Sequence, residues 1–404
     1  MRISSAQLHE ASVRAMTTQQ ASLVKVAQQV AEGRRVLTPA DDPIASSREV
    51  ALDASLRSSE QMQKNQADVK GQLEQAENYL GQGSTLLSAF KSSIVKAGSG
   101  VLSPSDRASV VADMTSLRDQ MMSLANTQDE SGNFVFAGFK RDSQPFSRTS
   151  EGVVYGGDSG IRQSQIGPNR FIDANFSGAY VFDTALTGKS GVVATAGDAN
   201  MGGLLLTGST INDKTTWGTE KALGPFNVSF GADGAYTVTD GDGEPYAAGT
   251  LTKGAATLDV AGVRLSFSGA PKAGDTLSVS SSTSQSIFDT MDQAIAALSM
   301  PESSQESARR GNALFALSAN IDGGLDRMLE ARTSLGSRLN EVEAALSADS
   351  ARSDALTEEI ARVTGADATS QVELATQLAQ RKFSVEAAQL TYTKISQLSI
   401  FNYL

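Results

Sequence analysis

Few positions in this chain gather side chains that could do chemistry. The stretch "TPADDPIASSREVALDA", Thr38 to Ala54, sets two adjacent aspartates, Asp41 and Asp42, between Pro39 and Pro43. Paired carboxylates can hold a divalent cation or a proton, but a cation site needs further oxygen ligands from elsewhere, and no residue pattern points to them. Local sequence offers both groups another use. Asp42 before Pro43 reads as an N-cap carboxylate followed by proline at the first helical position, where a missing N–H costs nothing. Thr38, with Pro39 next and Asp41 three residues on, reads as another helix start. Pro39, Asp41, Asp42 and Pro43 are therefore expected to serve as caps and turn residues.

The other candidates are weaker. "TGKS", Thr187 to Ser190, has the tail of a phosphate-binding loop and follows a possible strand, "AYVFD". Asp183 stands where that motif requires glycine, and an aspartate repels phosphate. "DGDGE", Asp240 to Glu244, lacks the spacing of a twelve-residue calcium loop and is expected to be a turn. His9 is the single histidine and cysteine is absent, so Ser-His-Asp catalysis and multi-His or thiolate metal sites have little to build on. No group of residues supplies a nucleophile, a base and an oxyanion hole. No catalytic residue, cofactor or metal is expected. Trp217 and Tyr246 could touch a glycan or a partner, but a local core is the expected use.

At 404 residues the chain is long enough for two or three domains. Its formal charge of −11 disfavours nucleic acid, because phosphate binding needs clustered Lys and Arg. No apolar run reaches 18 residues, and no basic start leads into an apolar core, so neither a membrane span nor a cleavable signal peptide is expected. Absence of cysteine fits a cytosolic protein, and equally one that travels unfolded through a narrow channel.

Elements emerge from periodicity. Val69, Leu73, Ala76, Leu80, Gly83, Leu87, Phe90, Ile94 and Ala97 advance by alternating steps of four and three, the seam of a helix roughly 40 Å long at 1.5 Å per residue. "SPSD", Ser103 to Asp106, restarts the chain with an N-cap, a proline and an acid, and Val110, Met114, Leu117, Met121 and Leu124 continue the period. Ser286 and Asp289 open another helix, with Phe288, Met291, Ile295 and Leu298 on its seam. After a break at Met300-Pro301, Leu325, Met328, Leu335, Leu339, Val342 and Leu346 form a second long seam, extended by Leu356, Ile360 and Val363. Between the helical ends lie short alternating runs: "AYTVTD" from Ala235, "TLDVAGVRLSF" from Thr257 and "DTLSVS" from Asp275.

This order implies a mainly α fold with inserted β, in which the N- and C-terminal segments build a long antiparallel coiled-coil bundle around a central β-rich domain. The expected division is 1–40 with 365–404 as terminal helices, 41–182 with 283–364 as a helical core carrying a β-hairpin region near 133–182, and 183–282 as the outer β domain. Met16, Leu23 and Val30 recur at seven-residue intervals, and Leu374, Leu378, Val385, Tyr392 and Ile395 form one stripe that Phe401 follows. Each terminal helix thus has a narrow apolar face. Ordering about 40 backbone residues costs on the order of 40–80 kcal/mol, whereas each well-buried Leu or Val returns about 1.5–3 kcal/mol. Without further partners these segments are marginal.

"AEGRRVLTPADDPIASS" (Ala31 to Ser47), "DRASVVADMTSLRDQMMSLANTQDESGNFVFAGFK" (Asp106 to Lys140) and "EAAQLTYTKISQLSIFNYL" (Glu386 to Leu404) resemble the flagellin-related family of bacterial flagellar proteins. Within it, Pro43-Ile44-Ala45 after the aspartates, where flagellins carry a "DDAAG"-like turn, and "NFVFAGF", Asn133 to Phe139, resemble the junction subunits. Where many flagellins carry an arginine-rich receptor-recognition patch, Met114 to Asn126 retains only Arg118, so that property is not carried over. The resemblance implies a structural subunit joining the hook, through a neighbouring hook-associated protein, to the flagellin filament. It further implies a ring of copies, an export chaperone, passage through the flagellar type III channel, and an extracellular location. The terminal stripes, Ile395 and Phe401 included, become the assembly interface. A filament-forming flagellin, or a secreted adhesive module working through its β domain, remain the alternatives. If the termini fold only on assembly, limited proteolysis of purified monomer will trim both ends and leave a core near residues 45–360; prompt resistance of the ends would contradict this.

Overall fold

A helix whose apolar residues recur every three and four positions must bury that stripe against another element. The computed structural model describes residues 5–98, 102–150, 152–200, 203–252, 256–300 and 304–401. In chain order these form α1 (Ser5–Glu32), α2 (Pro43–Gly98), α3 (Pro104–Ala125), β1 (Phe146–Thr149), β2 (Gly152–Tyr155), β3 (Gln163–Gly167), β4 (Arg170–Asp173), a π-helical turn (Ala179–Asp183), β5 (Ala185–Leu186), β6 (Val192–Ala196), β7 (Leu205–Ile211) and α4 (Lys214–Glu220). There follow β8 (Phe226–Phe230), β9 (Ala235–Thr239), β10 (Pro245–Thr250), β11 (Thr257–Val260), β12 (Val263–Ser268), β13 (Thr276–Ser281), β14 (Ser284–Gln285), α5 (Ile287–Leu298), α6 (Ser304–Thr364) and α7 (Ala368–Phe401). The fold is mainly α with an inserted antiparallel β region, as the periodicities imply. Pro301 and the side chain of His9 lie outside the described residues.

The chain forms two compact units. One comprises Met1–Ala67, Ile166–Pro168 and Glu343–Leu404; the other comprises Asp68–Gln165 and Asn169–Val342. In the second unit, the seam from Val69 to Ala97 is buried at every apolar position. Gly83 breaks the apolar run for a steric reason: a Cβ there would stand 3.1 Å from Met328 of α6. The pairs Glu77–Arg332, Gly83–Met328 and Lys91–Asp322 ascend α2 while descending α6, so the two helices run antiparallel. Ser103 caps α3 by accepting the Asp106 N–H at 3.2 Å, and Ser286 caps α5 by accepting that of Phe288 at 3.3 Å.

Four buried phenylalanines from four segments meet beside these helices. Phe182 lies 5.4 Å from Phe136, 5.3 Å from Phe146 and 5.8 Å from Phe288 between ring centroids. Edge-to-face and offset contacts of this kind add about 0.5–1.5 kcal/mol per pair to the area buried. Asn126, at the end of α3, fixes the strand beside them. Its amide donates to the Phe146 carbonyl and accepts the Phe146 N–H, both at 2.9 Å. Arg118, the single arginine of its segment, is buried and ion-paired with Asp119 and with Asp292 of α5. Its charge joins two helices and is not presented at the surface.

The two larger sheets among the described residues are ordered β10-β9-β8-β13-β6 and β11-β12-β7, both antiparallel, and β1-β2, β3-β4 and β5-β14 form two-stranded sheets. Alternation puts Phe226, Val228 and Phe230 of β8, and Val263, Leu265 and Phe267 of β12, into one core that also holds Trp217. "TLDVAGVRLSF" is two strands, because Ala261 and Gly262 both take positive φ, 49° and 82°, in a two-residue turn. "AYVFD" is the π-helical turn and not a strand, with the adjacent Val181 and Phe182 both buried. "TGKS" is a turn with φ of 72° at Gly188 and 54° at Ser190. In "DGDGE", Asp240 Oδ1 accepts the N–H groups of Asp242 and Glu244 at 3.1 and 2.8 Å, closing the loop between β9 and β10. Tyr246 packs on Phe226, 4.8 Å between centroids, and is partly exposed. The aromatic cluster predicts that Phe182→Ala lowers stability by about 3–5 kcal/mol; an unchanged urea midpoint for the loss of near-UV circular dichroism would contradict it.

Candidate assembly site

The paired aspartates sit where α1 ends and α2 begins. Thr38 to Asp41 is a turn closed by the Asp41 N–H donating to the Thr38 carbonyl at 3.0 Å, with Pro39 second of its four residues. It is not the helix start that its composition resembles, because the Asp41 carboxylate folds back. Its Oδ2 accepts the N–H groups of Leu37 and Thr38 at 3.1 and 2.9 Å, and Oδ1 pairs with Lys25 of α1. Asp42 caps α2, accepting the Ala45 N–H at 3.0 Å, while Pro43 takes the first helical position. Its other oxygen meets Arg35 at 3.2 Å. The two carboxylates thus face different partners. Among the described residues, no group of three or more His, Cys, Asp or Glu gathers as a metal site, and no helix is long and apolar enough to cross a membrane.

The C-terminal side of the joint mirrors this arrangement. α1 and α6 each end on a left-handed glycine, Gly33 at φ 68° and Gly365 at φ 71°. Asp367 then caps α7, accepting the Ser370 N–H at 3.2 Å and its hydroxyl at 2.6 Å. Between the two sides, the Thr364 carbonyl accepts the N–H groups of Arg35 and Val36, both at 3.0 Å. Gly365 is required twice over, since a Cβ would also stand 2.6 Å from that of Arg35. Gln29, buried on α1, donates to the Arg35 carbonyl.

Beyond the joint, α1 packs on α7. Leu374 and Val385 are buried in this seam with Val26, and Met16, Leu23, Leu378 and Tyr392 are half-buried. Val30 lies at its exposed edge; the side chains of Ile395 and Phe401 lie outside the described residues. The stripe read from sequence therefore serves largely to hold the two terminal helices of one chain together. A second stripe lies opposite. Val372, Phe383 and Leu390 are 68%, 73% and 64% exposed, and their spacings of eleven and seven residues, about three and two turns, align them on one face. Two residues separate Val372 from Leu374 and Phe383 from Val385, about 200° around the helix. Sequence reading passed over this outer stripe because its members are far apart. It also passed over Lys25, Arg35, Thr364 and Gly365, although the glycine before Asp-x-x-Ser was a visible stop-and-start signal.

Residues 3–141 match the family of the bacterial flagellin N-terminal helical region. The chain is 34% identical over 184 residues to flagellar hook-associated protein 3 of Salmonella typhimurium, covering 46% of this chain and 57% of that relative. The match thus spans little more than half the length of this curated relative. Among solved structures, FlgL of Xanthomonas campestris is 30% identical, covering 72% of this chain and 95% of its own, with a TM-score of 0.66. The flagellar hook-associated protein-3 of Legionella pneumophila is 25% identical over 78% of this chain and 99% of its own, with a TM-score of 0.71. Fold and matches together define a structural component of the bacterial flagellum. The chain belongs to the flagellin-related family, in the group of flagellar hook-associated protein 3, FlgL.

Both joint carboxylates are held below the ordinary range. For Asp41 the chief cause is Lys25, then the N–H groups of Thr38 and Leu37; for Asp42 it is the Ala45 N–H, then Arg35. A carboxylate with its folded pKa depressed contributes stability above its unfolded pKa, near 4, and loses it as pH falls through the folded value. Proteolysis after Arg34 and Arg35, in short pulses with an acid-tolerant protease, is therefore expected to quicken as pH drops below about 4. Asp41→Asn should be cut faster at pH 7 and respond less to acid; a wild-type rate that stays flat to pH 2.5 would contradict the assignment.

Proposed function

We propose that this chain joins the hook, through a neighbouring hook-associated protein, to the flagellin filament. The observation that carries the assembly part of this reading is the two-sided α7. One apolar face is used on α1, while Val372, Phe383 and Leu390 face solvent on the other. Covering each of these returns roughly 1.5–3 kcal/mol, a gain available only when another chain supplies the cover. The junction part follows the relatives, one of which, FlgL of Legionella pneumophila, is described as the flagellar junction protein.

In this reading residues 1–40 and 365–404 form the inner layer of a ring of copies, with the turn at Pro39, Asp41, Asp42 and Pro43 as its joint to the next layer. The interface draws on the stripe of Met16, Leu23, Val30, Leu374, Leu378, Val385, Tyr392, Ile395 and Phe401, which pairs the helices. It draws also on the outer face of α7, which meets the neighbour. The free subunit keeps its termini unfolded for passage through the type III channel, a chaperone covers them before export, and they fold as the neighbours bury them. The assembled location is extracellular.

Deleting the gene in its flagellated host is expected to leave hooks without filaments and unpolymerised flagellin in the medium; normal filaments would overturn the junction role. Phe383→Asp combined with Leu390→Asp is expected to be secreted with its circular dichroism unchanged yet to leave cells bald. Normal filaments on that double variant would remove the outer stripe from the interface.

A further inference from the structure

In the run Asn133 to Phe139, Phe136 is buried in the aromatic cluster, whereas Phe139 is 63% exposed. Three features nevertheless fix where its ring stands. Gly138 takes φ 70°, and a Cβ there would stand 2.3 Å from the Asp158 carbonyl oxygen. Asp158 Oδ1 accepts the N–H groups of both Phe139 and Gly160 at 2.8 Å. The ring then lies on the bare Cα of Gly160, where a Cβ would come within 2.2 Å of ring carbon Cδ2. An aromatic group already held in place loses little conformational entropy when a partner covers it, so the mounting favours a contact.

Around the ring, three basic side chains, Lys140, Arg141 and Arg162, stand with two carboxylates, Asp158 and Asp129. Ile161, 49% exposed, continues the apolar surface, and Lys140 is exposed beside it. Arg162 is half-buried and makes no ion pair among the described residues, although the charge of Asp129 acts on it and favours its protonated form. Its Nε and that of Arg141 are buried without an acceptor, although Arg141 is paired elsewhere with Asp129. Burial, then the charge of Arg141, holds the Arg162 guanidinium below its usual pKa, against the opposing charge of Asp129. An anionic group docking on the exposed edge of the guanidinium would offset the repulsion from Arg141.

The same chain offers that acceptor. On α6, Leu329 is 59% exposed between the exposed Asp326 and Glu330. Glu330 is paired with Arg327, whereas Asp326 has no ion-pair partner among the described residues. This is an apolar side chain beside a carboxylate without an ion pair, the counterpart of an aromatic side chain beside a guanidinium without one. Resting on the assembly reading above, we propose that Phe139, Ile161 and Arg162 of one copy dock on Leu329 and Asp326 of a second copy. Joining two different patches makes a head-to-tail contact, which propagates into a ring or helical array instead of closing as a dimer. Copies that each carry −11 repel one another; a local charge pair orients their approach.

The test places p-benzoylphenylalanine at Phe139 of the full-length subunit and irradiates assembled flagella. The expected product is a subunit dimer whose cross-linked peptide contains Asp326 and Leu329. Incorporated subunit that cross-links to flagellin, to the hook-side protein or to nothing overturns the inference while leaving the assembly reading intact. Absence of even the unmodified subunit from flagella overturns both. Independently, Arg162→Asp and Asp326→Arg, each with unchanged monomer circular dichroism, should lower the fraction of filament-bearing cells about tenfold. The double variant should restore them. Single variants without effect, or a double variant that fails to recover, would overturn the pairing.

Discussion

One carbonyl oxygen ties the two ends of this chain together. Thr364 accepts the N–H groups of both Arg35 and Val36, so the segment leaving α1 and the segment leaving α6 share a hydrogen-bonded contact. The two left-handed glycines allow the backbone to turn there, and three aspartates satisfy the helix starts and the turn around it. Without this tie, α1 and α7 would be two helices with one narrow seam between them. Among the described residues, the buried apolar side chains of that seam are Val26, Leu374 and Val385, a thin return against the cost of ordering two such segments. The joint therefore sets where the terminal helices meet, and the assembly proposed above would supply further burial.

That deficit is the basis of the functional reading. A subunit whose ends were fully stable alone would have no energetic reason to bind neighbours through them. Here α7 keeps one apolar face for α1 and leaves Val372, Phe383 and Leu390 exposed on another, burial that assembly would complete in the proposed reading. Marginal ends would also suit the export in that proposal. A firmly folded terminus would have to be pulled apart first.

The second unit answers different demands. Its aromatic cluster and its two-sheet core are closed within one chain, with Phe136, Phe146, Phe182 and Phe288 buried together and β8 and β12 facing inward by alternation. Arg118 shows how far this closure extends, since even its charge is matched inside the bundle. Against that background Phe139, fixed but uncovered, stands out, as does Arg162 beside it, which makes no ion pair among the described residues and feels the repulsion of Arg141.

Much of this was legible in the residues themselves. The helix seams, the caps at Ser103, Ser286 and Asp42, and the turn at Asp240 depend on neighbours three to seven positions away, so periodicity and capping chemistry encode them directly. The inward stripe of α7 was visible for the same reason. Its outward stripe was not, because periodicity shows which residues share a face but not which of two apolar faces meets a partner within the chain. "AYVFD" was misread because a short apolar run satisfies strand and tight helical turn equally until packing chooses. Gly83 opposite Met328, Arg118 against Asp292 and Thr364 beneath Arg35 join residues far apart in sequence. The sequence by itself determined the long helices and their caps, since those follow from local propensity and spacing. Only the tertiary structure decided which of their faces are closed within the chain and which stay exposed, because that depends on contacts made through space between distant segments.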